Sequence, residues 1–315
     1  MRADQRVSVV IPTYNRAGVV CRAIDSVLAQ TYRNTEVVVV DDGSTDDTQT
    51  RLSAYRDRIR ILTQENSGPA AARNRGIALA QGEIIAFLDS DDYWLPTKLA
   101  RQVDLLEKAG KAIPCCICDC TVVYRNGRRT SAFQIADTMP NCSTGLWLNP
   151  AEVLSTRFVL FNQAVAIRRE VLEKIGYFDE ALRLFCEDHE LALRLSLEGP
   201  WAIIRDQLVV YQDASPDSLG QKALTEEVLL REHLLHMRRQ ILRLVENNPR
   251  HSGLRRLARK EFQRASRELV AARLSERSFP GASTLSKLLH MMEHVRRALF
   301  RRSPLYPRMA VRGLS

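Results

Sequence analysis

Four short polar clusters in this 315-residue chain hold residue types that do chemistry: Thr13-Tyr14-Asn15, Asp41-Asp42-Gly43-Ser44, Asp89-Ser90-Asp91-Asp92 and Glu187-Asp188. Carboxylates gathered in one place repel one another unless a cation sits among them. Hard oxygen ligands select Mg²⁺ or Mn²⁺. Mg²⁺ typically uses one or two carboxylates and takes further ligands from substrate phosphates, so a nucleotide diphosphate is the expected second ligand. Each cluster also has a purely structural reading. Asp-Asp-Gly-Ser is a good turn and helix cap by itself. Asp89-Ser90-Asp91 is short enough to arise by chance, and Asp188 could be an acid favoured in the first turn of a helix. Arg73 and Arg75 could be solvated arginines on an amphipathic helix. The conjunction of the clusters, in order and at strand ends, argues for chemistry.

The elements that must position these residues are legible from apolar periodicity. Val7–Ile11 is a strand-sized run ended by Pro12, and Val37–Val40 is a continuous β-branched run of the kind buried on both faces. Arg58–Gln64 and Glu83–Leu88 read as two further strands. Between them, Ala17–Gln30 has helical spacing, a capped segment runs to Tyr55, and Pro69–Ala80 has Pro at its first position with Gly82 just past its end. Strands alternating with helices predict a parallel sheet with right-handed crossovers. Ligands then sit beyond the carboxyl ends of the strands, where the first three clusters fall.

The second hundred residues change character. Ile113–Tyr124 and Arg129–Gln134 flank Asn126-Gly127, a hairpin signal. Asn149-Pro150-Ala151-Glu152 marks a helix start, Glu187–Leu197 a short helix, and Trp201–Ile204 and Leu208–Tyr211 two short strands. From Ala223 onward long helical patterns dominate, broken near Asn247–Pro249 and at Phe279–Pro280.

Composition bounds the class. With 45% hydrophobic residues the chain can bury a core. No apolar run approaches the roughly 20 residues that span a bilayer, and the N-terminus lacks a signal-peptide layout, so a cytoplasmic protein is expected. Seven cysteines, with no nearby His to complete a zinc set around Cys115–Cys120, predict buried reduced thiols, with Cys116, Cys118 and Cys120 alternating on one strand beside Cys115. The net charge of +9 is uneven: residues 221–315 hold 21 of the 46 Lys and Arg but 8 of the 37 Asp and Glu, leaving residues 1–220 at −4. An acidic body and a basic tail suggest two parts with different partners.

The motifs Val7-Ser8-Val9-Val10-Ile11-Pro12-Thr13-Tyr14-Asn15-Arg16, Val40-Asp41-Asp42-Gly43-Ser44-Thr45-Asp46, Asn66-Ser67-Gly68-Pro69-Ala70-Ala71-Ala72-Arg73-Asn74 and Phe87-Leu88-Asp89-Ser90-Asp91-Asp92 resemble glycosyltransferase family 2. The likeness extends through Gly176-Tyr177-Phe178-Asp179-Glu180 and Glu187-Asp188-His189-Glu190-Leu191, covering about the first 215 residues. The resemblance implies an α/β class with a GT-A, Rossmann-like, mostly parallel sheet and flanking helices, here followed by a C-terminal helical region. It divides the chain into a catalytic domain over 1–220, with a nucleotide-sugar half (1–110) and an acceptor half (111–220), and a basic region over 221–315. It implies a nucleotide-diphospho-sugar donor, uridine being the commonest nucleotide, together with Mn²⁺ or Mg²⁺ and inversion at the anomeric carbon.

Roles carry over by position. Pro12, Thr13 and Tyr14, with Asp42, would hold the nucleobase and ribose, and Asp41 would support that turn. Arg73 would lie near the donor or order the metal-site carboxylates. Asp89 would meet the ribose or the metal shell beside Ser90, and Asp91 would bind the metal. Asp188 matches the general base. Two departures stand out. Ser215 falls where many relatives have a His, with Asp213 as the nearest substitute, and no Gln-x-x-Arg-Trp motif is present. The second departure argues for addition of a single sugar rather than processive synthesis.

The basic region has a stripe of Leu229, Leu230, Leu234, Met237, Ile241 and Leu244 with Arg238, Arg239 and Arg243 between. That is the pattern of a helical subdomain packed on the body. The competing expectation is a surface for anionic membrane at its inner face, where a saccharide or lipid-linked acceptor would lie, with His290–Arg302 as the candidate segment. Nucleic acid is disfavoured, since no stacking aromatics accompany the charge. Two other classes compete with the enzyme: a catalytically silent nucleotide-sugar binder and a membrane-docking interaction protein.

Overall fold

The computed structural model describes residues 5–213, 225–278 and 307–314. The first half alternates as expected: β1 (Val7–Thr13), α1 (Val20–Leu28), β2 (Thr35–Asp41), α2 (Thr48–Ser53), β3 (Arg60–Thr63), α3 (Pro69–Leu79) and β4 (Ile84–Phe87). These four strands are mutually parallel in the order β4-β1-β2-β3. β2 is built of valines because both of its faces are covered. α1 presents Val20, Ala23, Ile24 and Val27 to the core. α3 closes tightly on the sheet at Gly76, where an added Cβ would lie 2.3 Å from Val10 Cγ1.

The second half contributes β5 (Tyr93–Trp94), α4 (Lys98–Ala109), β6 (Cys115–Tyr124), β7 (Arg129–Ser131), α5 (Ala132–Ile135), β8 (Thr144–Trp147), α6 (Pro150–Leu154), β9 (Val165–Arg168), α7 (Arg169–Ile175), α8 (Glu187–Ser196) and β10 (Trp201–Asp213). α9 (Glu227–Asn247), α10 (Arg255–Ser278) and β11 (Val311–Gly313) complete it. The sheet runs β11-β8-β10-β6-β9-β4-β1-β2-β3, with β5 on β10 and β7 on β6. β1, β2, β3, β4, β6 and β10 share one direction, and β9 is inserted antiparallel between β4 and β6. The expected α/β class, with a mostly parallel sheet and C-terminal helices, is what the chain forms.

Three details differ from the sequence reading. β1 does not stop at Pro12 but pairs through Pro12↔Val40 and Thr13↔Asp41, which carries Thr13 into the rim. Trp201–Ile204 and Leu208–Tyr211 are one strand, because irregularities near Gln207 absorb the polar interruption and the pairing to β6 resumes. The elements β5, α4, β8, β9, α7 and β11 are additional to those read from the sequence, although α4 does carry the helical period, with Leu99, Val103 and Leu106 buried on one face. The expected hairpin between β6 and β7 turns at Gly127 with φ +78°. Cys115, Cys116, Cys118 and Cys120 are all buried, as β6 is covered on both faces, and burial pushes their thiols up.

α9 buries Met237, Ile241 and Val245 in the main core, whereas Leu244 of the expected stripe is 43% exposed and Arg238 is buried. His236 Nε2 lies 2.7 Å from Asp179 Oδ2, joining α9 to the loop before α8. β11 pairs with β8, so residues from the far end of the chain extend the sheet. His290–Arg302 and Ser215 lie outside the described residues.

Candidate active site

The expected residues converge at the carboxyl ends of β1, β2 and β4. Thr13 and Asp41 are register partners. Asp41 accepts Ser44 N at 3.0 Å on one oxygen, while its other oxygen and Thr13 Oγ1 are buried without a hydrogen-bond partner. Asp42 is fully occupied. Its Oδ1 accepts Gln64 Nε2 at 2.8 Å and Ser67 N at 2.9 Å, and its Oδ2 accepts Gly68 N at 2.8 Å. Asp42 therefore organises the loop that enters α3. Gly68 is needed there: its φ is +92°, and an added Cβ would meet Arg183 O at 2.8 Å. Tyr14 is 42% exposed beside this rim, and Pro12 is buried beneath it.

Beyond β4, Asp89 and Asp91 are half-buried, and Ser90 is buried between them. Burial and the neighbouring Asp89 raise the Asp91 carboxyl above its usual range, opposed by Arg16, whose Nε lies 3.7 Å away. Arg22 Nη2 donates to the Asp91 carbonyl at 2.7 Å. Asp92, next in the chain, is fully buried and accepts Gln212 N at 2.9 Å, which pins β10 to this rim. Its other oxygen has no partner, and burial with Asp91 and Asp89 holds the carboxyl well up.

Arg73, on α3, is 4% exposed and bridges the two halves. Nη2 donates to Asp89 Oδ1 at 2.6 Å and Nη1 to Glu187 Oε1 at 2.9 Å. Its guanidinium lies 5.3 Å from the centre of the Phe178 ring. The Asn162 amide, with its oxygen turned inward, accepts from both Nη atoms at 3.2 and 3.3 Å. Burial opposes the charge, but Asp89 and Glu187 outweigh it and hold the guanidinium protonated. Of the two expectations for Arg73, the geometry matches ordering of the rim carboxylates. The next residue, Asn74, exchanges hydrogen bonds with the Phe178 backbone at 2.9 and 3.0 Å, clamping the Gly176–Glu180 segment to α3.

Asp188 follows Glu187 in the first turn of α8 and is brought to the same rim. Its Oδ1 accepts from the adjacent His189 N at 2.7 Å. Burial, then the like charge of Glu187, raises its carboxyl to about 7, with Arg73 opposing. A carboxylate of that basicity suits proton abstraction near neutral pH. The sequence reading names Glu187 only as the neighbour of Asp188 and gives Asn162 and Asp92 no role in the site. Asp92 stood inside a quoted motif, but Asn162 carries no local signal, because only the fold brings it to Arg73.

Among the described residues, no group of three or more His, Cys, Asp or Glu side chains is arranged to enclose an ion. Asp89 and Asp91 nevertheless suit a hard cation that draws its other ligands from a diphosphate and water.

A model of glycosyl transferase family 2 matches residues 8–176, more than half of the chain. An uncharacterized glycosyltransferase of Rickettsia prowazekii is 32% identical over 185 residues, which are 59% of this chain and 57% of that relative. The Escherichia coli protein named UDP-Glc:alpha-D-GlcNAc-diphosphoundecaprenol beta-1,3-glucosyltransferase WfaP is 42% identical over 103 residues, 32% of this chain and 41% of its own length. The chain thus spans little more than half, or less, of these curated relatives. Among solved structures, S. aureus TarS in complex with UDP-GlcNAc superposes with a TM-score of 0.66 at 19% identity, covering 93% of this chain and 81% of that one. That likeness carries the GT-A fold. With the family match over residues 8–176 and the four rim clusters assembled, the chain belongs to glycosyl transferase family 2.

Proposed function

We propose that this protein transfers one sugar from a UDP-linked nucleotide-diphospho-sugar to an acceptor hydroxyl, with inversion and with Asp188 as general base. The observation that carries the reading is Arg73, which holds Asp89 of the donor rim and Glu187 beside Asp188 in one guanidinium. The donor would lie over Thr13, Tyr14 and Asp41, with Ser90 and Asp89 toward the ribose. Asp42, already committed to three hydrogen bonds, shapes the loop under it. Asp91 and Asp89 would hold Mn²⁺ or Mg²⁺, which supplies positive charge to the diphosphate as it leaves. Asp188 takes the proton from the acceptor hydroxyl. The acceptor oxygen then bonds to the anomeric carbon from the face opposite the diphosphate, and the C–O bond to the diphosphate breaks with its electron pair on the leaving nucleotide.

The E. coli relative, named for its diphosphoundecaprenol-linked sugar substrate, supports a saccharide or lipid-linked acceptor in cell-surface polysaccharide synthesis. Such an acceptor implies work at the cytoplasmic face of a membrane. No helix among the described residues is long and apolar enough to cross one, and the contact with the bilayer in this reading is a peripheral one. Nucleic acid is not part of this reading.

The test is a thermal-shift screen of nucleotide-sugars with and without Mn²⁺, followed by product analysis, since a ligand that binds the native state raises its melting temperature. Stabilisation by one UDP-sugar and turnover of it are expected. Stabilisation without turnover on any saccharide or lipid-linked acceptor would favour the silent binder, and no stabilisation by any nucleotide-sugar would sink the proposal.

A further inference from the structure

Among its described side chains, the exposed positions of α10 hold Arg256, Arg259, Lys260, Arg267 and Arg273 and no Asp or Glu, with Arg273 paired to Glu232 of α9 at 2.6 Å. The two acids among its described side chains turn inward. Glu261 is 1% exposed, and Glu268 pairs with Arg231 of α9 at 2.7 Å. Sequence composition mixes both signs along this helix, whereas the packed hairpin sorts them. The inward side of the hairpin is spoken for, because α9 and α10 pack on one another and α9 on the body. From Arg256 to Arg273 the outward face runs about 26 Å at the rise of an α-helix.

The start of this helix works against its own stability. Its first turn carries no acid, although that end of a helix attracts negative charge and repels positive. Arg255 with Arg259, and Arg256 with Lys260, are like charges one turn apart, which weaken a helix. Glu246 of α9 lies 2.7 Å from Arg259. All four line one open cavity of about 510 Å³ with Ser252 and Gln263. On α9, the exposed Arg239 and Arg243 continue the positive surface. One apolar side chain sits between Arg267 and Arg273 at an exposed position of α10: Val270, 58% exposed.

We propose that the outward face of α10, with the cavity at its start, docks on an anionic lipid bilayer. Concentrated positive charge on a helix face is what a negatively charged leaflet attracts, at about fivefold in binding per Lys or Arg near the surface. A bilayer fits better than a nucleic acid for two reasons. Val270 can enter the headgroup boundary, and the exposed α10 face has no aromatic side chain on which bases would stack. The charge pattern stands by itself, while the purpose of docking rests on the lipid-linked acceptor proposed above.

The full chain is sedimented with phosphatidylcholine vesicles and with vesicles that also contain phosphatidylglycerol. Arg256→Glu/Arg267→Glu reverses two exposed cations of the face, and Arg33→Glu/Arg56→Glu reverses two exposed cations of the body. Wild type and the body variant are expected to bind the anionic vesicles and to be released by salt. The α10 variant is expected to bind at least about tenfold more weakly, with donor-induced thermal stabilisation unchanged. Equal binding of the two variants overturns the proposal, and so does equal binding of wild type to both vesicle types. Tighter binding to duplex DNA than to anionic vesicles at equal phosphate concentration also overturns it. The vesicle arm needs no turnover. A chain that docks through Arg256 and Arg267 yet transfers no sugar would support this face and count against the proposed activity.

Discussion

Arg73 Nη1 donates to Glu187 Oε1 at 2.9 Å across 114 residues of sequence, and the same guanidinium holds Asp89 at 2.6 Å. One buried cation thus sets the distance between the donor rim and the first turn of α8, where the proposed base sits. Removing one partner of a buried charge pair leaves the others uncompensated. Arg73→Ala is expected to lower stability by about 3–5 kcal/mol, measured by denaturant unfolding. Arg73→Lys keeps the charge but cannot fork to two carboxylates. It is expected to stay folded and lose activity, and wild-type turnover in that variant would remove Arg73 from the mechanism.

Asp188→Asn keeps size and polarity but cannot accept a proton. Loss of a general base costs on the order of 10²–10⁴ in rate. The variant is expected to bind nucleotide-sugar near-normally while kcat falls at least about a hundredfold. Normal turnover would return Asp188 to a helix-capping role and make Glu187 the candidate. A joint loss of donor binding would put Asp188 in the donor site.

The raised carboxyl of Asp188 also fixes two signs. The base acts ionised, so kcat/KM should climb as pH rises through about 7 and then level. Stability runs the other way. Between the unfolded value of 3.8 and about 7 the folded state binds this proton more tightly, so rising pH erodes stability across that window. Asp188→Asn should remove that erosion. Melting curves of both proteins at pH 5 and pH 8 check this, and an equal change in the two would contradict it.

Chelation tests the rim pair. EDTA is expected to abolish transfer and Mn²⁺ or Mg²⁺ to restore it, with Asp91→Ala nearly inactive at an unchanged melting temperature. Undiminished transfer by Asp91→Ala in metal-free buffer would end the metal reading.

Gly76→Ala probes the packing that positions α3, and with it Arg73. Its Cβ would sit 2.3 Å from Val10 Cγ1. Overpacking of this kind costs about 1–3 kcal/mol, readable as a lower denaturation midpoint. No change in midpoint would mean that α3 has room to retreat from β1.

What the sequence determined by itself is local: strand ends, helix periods, and the polar clusters that follow them. Periodicity of two or 3.6 is enough to place Thr13, Asp41, Asp42, Asp89 and Asp91 at one end of a parallel sheet, because every strand of such a sheet points the same way. Asp188 is picked out by its resemblance to the family motif, not by periodicity. The tertiary structure decided which of those polar atoms are already used. Asp42 is committed to the backbone of Ser67 and Gly68, whereas one oxygen of Asp41 is left without a partner, a difference that their adjacency in sequence does not reveal. It decided that Arg73 reaches Glu187 and Asn162, since contacts between distant segments have no period to betray them. It joined Trp201–Asp213 into one strand, because pairing to β6 outweighs a polar interruption. It also sorted the charges of α10, burying Glu261 and leaving Arg256 and Arg267 outside. Which face of a helix is buried depends on what packs against it, and that partner is not written in the helix.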